Sequence, residues 1–182
     1  MPQKFQKRLK LGLWVILPLL LISFISRGLS NNYPDLESGT YQLNAIGAAN
    51  TLLKGNIFFQ QDEVISSKGR LLSTLKLNFE DNENSGELPI QFLISVDTDK
   101  QTISTGKYNI SRYISGFMNN FDGVFGYANL SMLGEKPFFT RKGELVITEY
   151  SRDLVSGTLD VILEDVHGES LHLQGSFSAL ND

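Results

Sequence analysis

The chain has 182 residues, of which 41% are hydrophobic and 20% charged, a balance typical of one globular domain with a short additional segment. It contains no cysteine, which excludes disulfides, thiolate metal sites, a cysteine nucleophile and lipidation of a cysteine after a bacterial leader. The first thirty residues carry five basic charges and no acidic one, whereas the rest has eleven basic and twenty acidic side chains, a net charge of −9. Because an acidic surface repels phosphate groups, we expect no nucleic-acid partner.

The N-terminus has the pattern of an export leader. Lys4, Lys7, Arg8 and Lys10 precede Leu11–Ile25, a run without any charge. Positive charge stays on the cytoplasmic side of a membrane, so the pattern predicts that the rest of the chain is exported. A buried core helix is the alternative, but the terminal position and the flanking cations favour a leader.

Cleavage of this leader is harder to predict. The best small-x-small site is Gly28-Leu29-Ser30, with cleavage before Asn31, although Leu29 is bulky for it. Without cleavage, residues 11–29 form a membrane anchor close to the roughly 20 residues that a bilayer requires, and we favour this alternative. We therefore assign residues 1–30 to a signal peptide or signal anchor, 31–38 to a short tether and 39–182 to an exported domain. That domain is membrane-anchored outside the cytoplasm, or periplasmic or secreted if the leader is cleaved.

Most of the exported part alternates apolar and polar side chains with a period of two, the pattern of strands with one buried face. Tyr41–Ala45 and Leu75–Phe79 follow it strictly, and Ile90–Val96 follows it except at Leu93. Helical turns are expected only within Gly47–Leu53 and Ser111–Asn119. Further strands are predicted at Gly55–Gln60, Gly106–Ile110, Val124–Ser131 and Glu144–Tyr150, and turn signals lie at Lys68-Gly69, Asn84-Ser85-Gly86, Asp97–Lys100, Asp122-Gly123 and Lys142-Gly143.

These elements predict an all-β fold. We expect an antiparallel meander of roughly eight to ten strands that forms a barrel or a two-layer sandwich. The barrel is favoured because successive strands look hairpin-linked. One N-terminal apolar helix precedes this domain.

The C-terminal hairpin allows its register to be predicted. A three-residue loop, Val166-His167-Gly168, pairs Leu163 with Leu171 and Val161 with Leu173, so that both apolar rows share one face. This type of loop needs a left-handed residue at its last position, where Gly168 stands. A two-residue turn would instead place apolar side chains opposite polar ones. Asp160, Ile162, Glu164, His172 and Gln174 are expected on the other, less buried face.

The runs Gly143–Thr148, Val155–Leu159 and Leu171–Phe177 resemble the C-terminal pattern of small exported β domains of unknown function from Gram-negative bacteria. Gly106–Ile110 resembles their mid-domain Gly-x-Tyr strand. Many of those proteins are lipoproteins, and this chain departs from them by lacking the cysteine. The resemblance implies an exported cell-envelope β domain and supplies no catalytic residues.

Signals for a metal, a cofactor or catalysis are incomplete. His167 and His172 are the only histidines, and we expect one at a loop tip and the other on the outer face. The run from Asp81 to Gly86 begins like a calcium loop, but Phe92 stands where a bidentate Glu is required. Thr105-Gly106-Lys107 lacks the first glycine of a phosphate loop, and no Gly-x-Ser-x-Gly elbow occurs. We therefore predict no cofactor, no metal site and no catalytic residue.

One stretch combines aromatic residues with glycines. Rings among glycines can line a ligand mouth, because glycine lets a backbone approach closely. Core packing against kinked strands explains the same composition, and we favour it. The ring residues proposed to bind a ligand are Phe117, Phe121, Phe125, Tyr127 and Phe138.

The sequence favours a non-enzymatic envelope protein, either a binding module or a structural interaction module of unknown ligand or partner. The first alternative is a carrier of a small apolar ligand in a barrel cavity, with its mouth near residues 117–139. A hydrolase with scattered carboxylates is the third hypothesis. A filled interior would favour the interaction module, and a large cavity would favour the carrier.

Overall fold

The computed structural model describes residues 36–81, 89–110, 122–134 and 136–182. The chain divides into two units, Met1–Tyr33 and Pro34–Asp182, and every described residue belongs to the second. The predicted leader and N-terminal helix therefore lie outside the described residues, as do Glu83–Gly86 of the calcium-like run. Within the described ranges, no helix combines the length and the apolar character needed to cross a bilayer.

The described residues form nine strands and one short 3-10 helix, Ser131–Leu133. The Lys68-Gly69 and Asp97–Lys100 signals coincide with observed turns, and the strand expected at Gly106–Ile110 has the predicted bounds. The strands are β1 (Thr40–Gly47), β2 (Thr51–Ile65), β3 (Leu71–Asp81), β4 (Ile90–Asp97), β5 (Gly106–Ile110), β6 (Gly123–Ala128), β7 (Phe138–Tyr150), β8 (Leu154–Glu164) and β9 (Ser170–Asn181).

The strands close into a barrel, which confirms the favoured form of the predicted meander. Eight of them follow one another around it in the order β1-β2-β3-β4-β6-β7-β8-β9, each antiparallel to the next, and β9 pairs again with β1. β5 is an additional strand on the same edge of β7 as β6. β6 pairs with Phe138 and Phe139 at the start of β7, and β5 pairs further along, with Gly143–Ile147. The end of β9 passes the start of β1 and pairs in parallel with Phe58 and Phe59 of β2.

Two sequence expectations were wrong. Lys142-Gly143, predicted as a turn, lies within β7 beside a register shift between Thr140 and Lys142. A bulge bends a strand without ending it and uses the same residue types as a turn. The helical turn allowed within Gly47–Leu53 is also absent, because β1 runs to Gly47 and β2 begins at Thr51.

The interior of the barrel is filled with side chains. Phe79 lies at its centre and makes edge-to-face contacts with Tyr41, Phe92 and Phe177, at ring-centroid distances of 5.0, 5.9 and 6.1 Å. Gly126 faces inward opposite Phe92, and a Cβ atom added there would lie 2.3 Å from Cδ1 of that ring. Bulky rings and small residues thus interlock across the barrel.

The C-terminal hairpin has the predicted register. Leu163 pairs with Leu171 and Val161 with Leu173, and all four side chains are buried in the core. The connection is Val166-His167-Gly168, and Gly168 has φ +84°. The opposite face, with Asp160 and His172 among its members, is more exposed, as expected.

Candidate binding site

The outer face of the barrel carries a groove of about 310 Å³ across β2, β3 and β4. Strand alternation explains its composition, because side chains that point away from the filled interior are mostly polar. Among the described residues, the groove is lined by Phe58, Gln60, Lys76, Asn78, Glu80, Gln91 and Asp182.

The strand register arranges these side chains as a grid. Phe58 is paired with Asn78, and Asn78 with Gln91, so these three form one row across three strands. Gln60 and Lys76 form the next row. Rows on one face are about 6.8 Å apart along a strand, and neighbouring strands are about 4.8 Å apart. The register therefore places the polar side chains of three strands side by side on one face.

An amide pair forms the floor of the groove. Asn78 is only 6% exposed although it points outward. Nε2 of Gln91 donates a hydrogen bond to Oδ1 of Asn78 over 2.7 Å. This bond engages one end of each amide, so the Asn78 Nδ2 donors and the Gln91 Oε1 acceptor remain for other partners.

The groove contains charges of both signs. Lys76 is the cation, and Glu80 and Asp182 supply two carboxylates. Nε2 of Gln60 donates to Oδ2 of Asp182, which ties that carboxylate to the edge of the groove. Within the described part of the chain, Lys76 forms no ion pair with any acidic side chain.

An apolar cluster lies beside the groove on the same outer face. It consists of Leu93, Phe125 and Phe139, with Tyr127 packed against them, and the Phe125 and Phe139 rings are stacked at 6.2 Å. Tyr127 is the cross-strand partner of Gln91, and burial raises the pKa of its phenol above the usual value. Leu93 thus interrupts the alternation of β4 because that strand is buried on both faces.

The structure separates the ring residues that the sequence grouped into one ligand mouth. Phe125 and Tyr127 lie on the outer face, whereas Phe138 is buried in the barrel interior. Phe117 and Phe121 lie outside the described residues. A ligand role for these rings stays a prediction, and the glycine nearest to them, Gly126, makes room for Phe92.

The two histidines are apart, as expected. Nε2 of His172 lies 2.7 Å from Oδ1 of Asp160 on the outer face, and Gln174 donates to the same carboxylate over 3.4 Å. His167 is in the β8–β9 loop. In the described ranges, no three His, Asp or Glu side chains come together as metal ligands.

The two most buried carboxylates of the described residues have structural roles. Asp97 pairs with Arg70, lies 3.6 Å from Lys100 and accepts a hydrogen bond from the Asp99 N–H. Burial raises the pKa of Asp97, but that hydrogen bond and the two cations outweigh it, so the pKa lies below its usual value. Asp165 closes the β8–β9 loop. Because Asp97 ends β4 and Asp165 follows β8, they lie at opposite ends of the barrel and do not form a catalytic pair.

Sequence reasoning missed the groove. Gln91, Asn78 and Gln60 look like ordinary solvated residues of amphipathic strands, and nothing in their spacing marks them. Only the pairing of β2 with β3 and of β3 with β4 brings them together. The interruption at Leu93 is the one visible signal that the outer face of β4 differs from that of an ordinary solvated strand.

The architecture defines the chain as an eight-stranded, closed antiparallel barrel with a polar groove on its outside. Comparisons with protein-family models, with curated proteins and with solved structures give no match to this chain. The resemblance to exported Gram-negative β domains therefore stays a prediction.

Proposed function

We propose that this protein is a non-enzymatic binding module of the cell envelope, and that the outer groove is its binding surface. The observation that carries the proposal is the Asn78–Gln91 pair, which one hydrogen bond holds in place and which keeps donors and an acceptor at the floor of a concave site. Asn78 is buried and Gln91 is half-buried, so the positions of both amides are largely fixed before a ligand arrives. A ligand that bonds to groups fixed in advance orders few side chains on binding, which favours affinity.

The packing of the interior supports the groove over an internal carrier site. Among the described residues, the five largest fully buried side chains are phenylalanines, and the space that a carrier would need holds their rings. The interior also lacks a shared aromatic mouth among the described rings, since Phe125 and Tyr127 point outward. A small apolar ligand is therefore the less favoured occupant.

The carboxylates of the groove argue against a hydrolase. Asp182 is hydrogen-bonded to Gln60, which is paired with Lys76, so this carboxylate belongs to the Gln60–Lys76 row. The second carboxylate, Glu80, lies four residues beyond Lys76 along β3. Four residues of strand span about 14 Å. Glycosidases hold their two carboxyl groups at about 5–9.5 Å, so this spacing fits two separate polar contacts better than an acid and base.

Nuclear magnetic resonance of the isotope-labelled domain tests the location of the site. The probes are dodecanoate, neutral oligosaccharides, anionic oligosaccharides and short neutral peptides. We expect at least one polar probe to shift the side-chain amide signals of Gln60, Asn78 and Gln91, with Gln174 as the internal control. Shifts of interior methyl groups on addition of dodecanoate, without changes in the groove, would support the carrier instead.

Export is a second part of the proposal, and it is supported by the cations and the apolar run of residues 4–25. A reporter fused after Asp182 is expected to be active only if it functions outside the cytoplasm. Activity of a strictly cytoplasmic reporter would contradict export. N-terminal sequencing of the mature protein distinguishes an anchor from a cleaved leader, which would give a start near Asn31.

A further inference from the structure

We infer that the groove binds a neutral, polyhydroxylated ligand, namely one or two units of a saccharide. This inference rests on the proposed function and specifies the ligand class of the same site. Its basis is the combination of unused amide groups, charges of both signs and an apolar ring within a single small groove.

The amide pair matches hydroxyl groups. Once Gln91 has donated to Asn78, the pair offers a donor at Asn78 Nδ2 and an acceptor at Gln91 Oε1. A hydroxyl both accepts and donates, so one hydroxyl, or two on adjacent carbons, can satisfy both groups. A carboxylate or phosphate could accept from Asn78 but would leave the Gln91 acceptor without a donor.

The charge pattern also favours a neutral ligand. An anion would approach the carboxylates of Glu80 and Asp182, and a cation would approach the Lys76 ammonium group. Because charges of both signs line the same groove, each would meet a like charge as well as an opposite one, which reduces affinity. Hydroxyls instead can accept from Lys76 and donate to a carboxylate.

The size and the aromatic residue of the groove complete the match. A volume of about 310 Å³ is at the lower limit for ligand pockets, which suits a small ligand. Phe58 stands at one end of the Phe58–Asn78–Gln91 row and is half-buried. Its ring offers an apolar surface for the C–H face of a sugar, while the adjacent amides bind the hydroxyls at the rim.

Calorimetric titration of the domain with neutral di- and trisaccharides tests the inference, with Gln91→Ala as the groove variant and Gln174→Ala as the matched control. Both variants remove one amide from the outer face, but Gln174 lies on β9 beside Asp160. We expect Gln91→Ala to weaken binding about tenfold, as the loss of one well-placed hydrogen bond does. Gln174→Ala should leave the affinity within about twofold.

Shift mapping on the wild-type domain provides a readout that needs no variant to fold. Shifts of the Asn78 and Gln91 side-chain amides with neutral saccharides support the inference. Shifts there only with peptides or anionic saccharides overturn the ligand class and leave the groove as the binding site. If no polar probe moves these signals, both the inference and the proposed binding surface are wrong. Equal losses of saccharide affinity in Gln91→Ala and Gln174→Ala would also overturn the inference.

Discussion

Two hairpins of this barrel use the same loop with different sequences. In the β8–β9 loop, Asp165 N–H donates to Glu169 O over 3.0 Å and Gly168 N–H donates to Asp165 O over 3.2 Å. In the β2–β3 loop, the N–H groups of Ser66 and Gly69 make the same two bonds, to Arg70 O and Ser66 O, over 2.8 and 2.9 Å. A polar residue at the first position and a glycine at the fourth are what the two loops share.

The two hairpins differ in how fully they bury the second residue pair from the loop. Leu163 and Leu171, the pair that follows the β8–β9 loop, are both fully buried in the main core. At the equivalent pair of the β2–β3 loop, Leu72 is fully buried but its partner Val64 is half-buried, and neither belongs to the main core cluster. A loop therefore fixes which residues pair, whereas the apolar pattern of the strands decides how fully each pair is buried.

Truncation of a core leucine should have the largest effect. Leu171 is fully buried, so Leu171→Ala is expected to lower the free energy of unfolding by about 2–5 kcal/mol. Ile65, beside the β2–β3 loop, is 70% exposed, so Ile65→Ala should change the free energy of unfolding by no more than about 0.5 kcal/mol. Urea denaturation measures both. Similar losses in the two variants would contradict the difference in burial between these positions.

Substitution of the loop glycines should have equal effects in both hairpins. Gly168 has φ +84° and Gly69 has φ +74°, and no heavy atom lies within 4 Å of a Cβ added at either position. The cost of a side chain is then backbone strain alone, about 1–3 kcal/mol for Gly168→Val and for Gly69→Val. Asn tolerates this conformation better, so Gly168→Asn should recover part of the loss. Clearly unequal losses of stability in the two valine variants would show that the surroundings of the glycine, and not the loop conformation, determine the cost.

Acid should distinguish the two loops, because only one is closed by a carboxylate. Oδ1 of Asp165 accepts from the N–H groups of His167 and Glu169, whereas Ser66 Oγ accepts from the Arg70 N–H. Burial raises the pKa of Asp165, but these two bonds and the charges of His167 and Lys136 outweigh it and hold the pKa below its usual value.

A lowered pKa means that the ionised Asp165 stabilises the fold above the unfolded-state pKa of about 3.9, and that this contribution is lost as the pH falls through the lower folded-state value. Asp165→Asn keeps the oxygen acceptor but removes the charge. We therefore expect the urea midpoint of this variant to fall less than that of the wild type between pH 5 and pH 2. The difference between the two should be about that expected for one titrating carboxylate. Ser66→Ala, which removes a group that does not titrate, should give a profile parallel to that of the wild type.

The C-terminal hairpin could be predicted from sequence because two independent signals agreed. The apolar rows of β8 and β9 match only with an odd loop, and Gly168 supplies the conformation that such a loop needs. At Lys142-Gly143 the local signal was equally clear but ambiguous, since a turn and a bulge both use these residues. Local sequence identifies a backbone irregularity there without telling whether the strand ends.

The candidate site could not be predicted from the sequence, for a different reason. Its floor consists of Asn78 and Gln91, which belong to two strands joined by residues 82–89, and their meeting depends on the β3–β4 register. Neither residue breaks the alternation of its own strand. The proposed aromatic mouth had the opposite problem, because Phe138 and Phe139 are adjacent in sequence but point to opposite faces.

The smallest effect is expected on the outer face of the same C-terminal hairpin. His172 follows Leu171 but points away from the core, and its ring lies 2.7 Å from the Asp160 carboxylate. Both side chains remain partly exposed, at 33% and 52% for His172 and Asp160, and exposed pairs of this kind contribute only about 0–1 kcal/mol. His172→Ala should therefore reduce the free energy of unfolding by less than about 1 kcal/mol in low salt. The difference from the wild type should shrink further in 1 M salt, where the screening length is about 3 Å. A loss as large as that of Leu171→Ala, and insensitive to salt, would mean that the outer face of this hairpin is packed as tightly as its inner face.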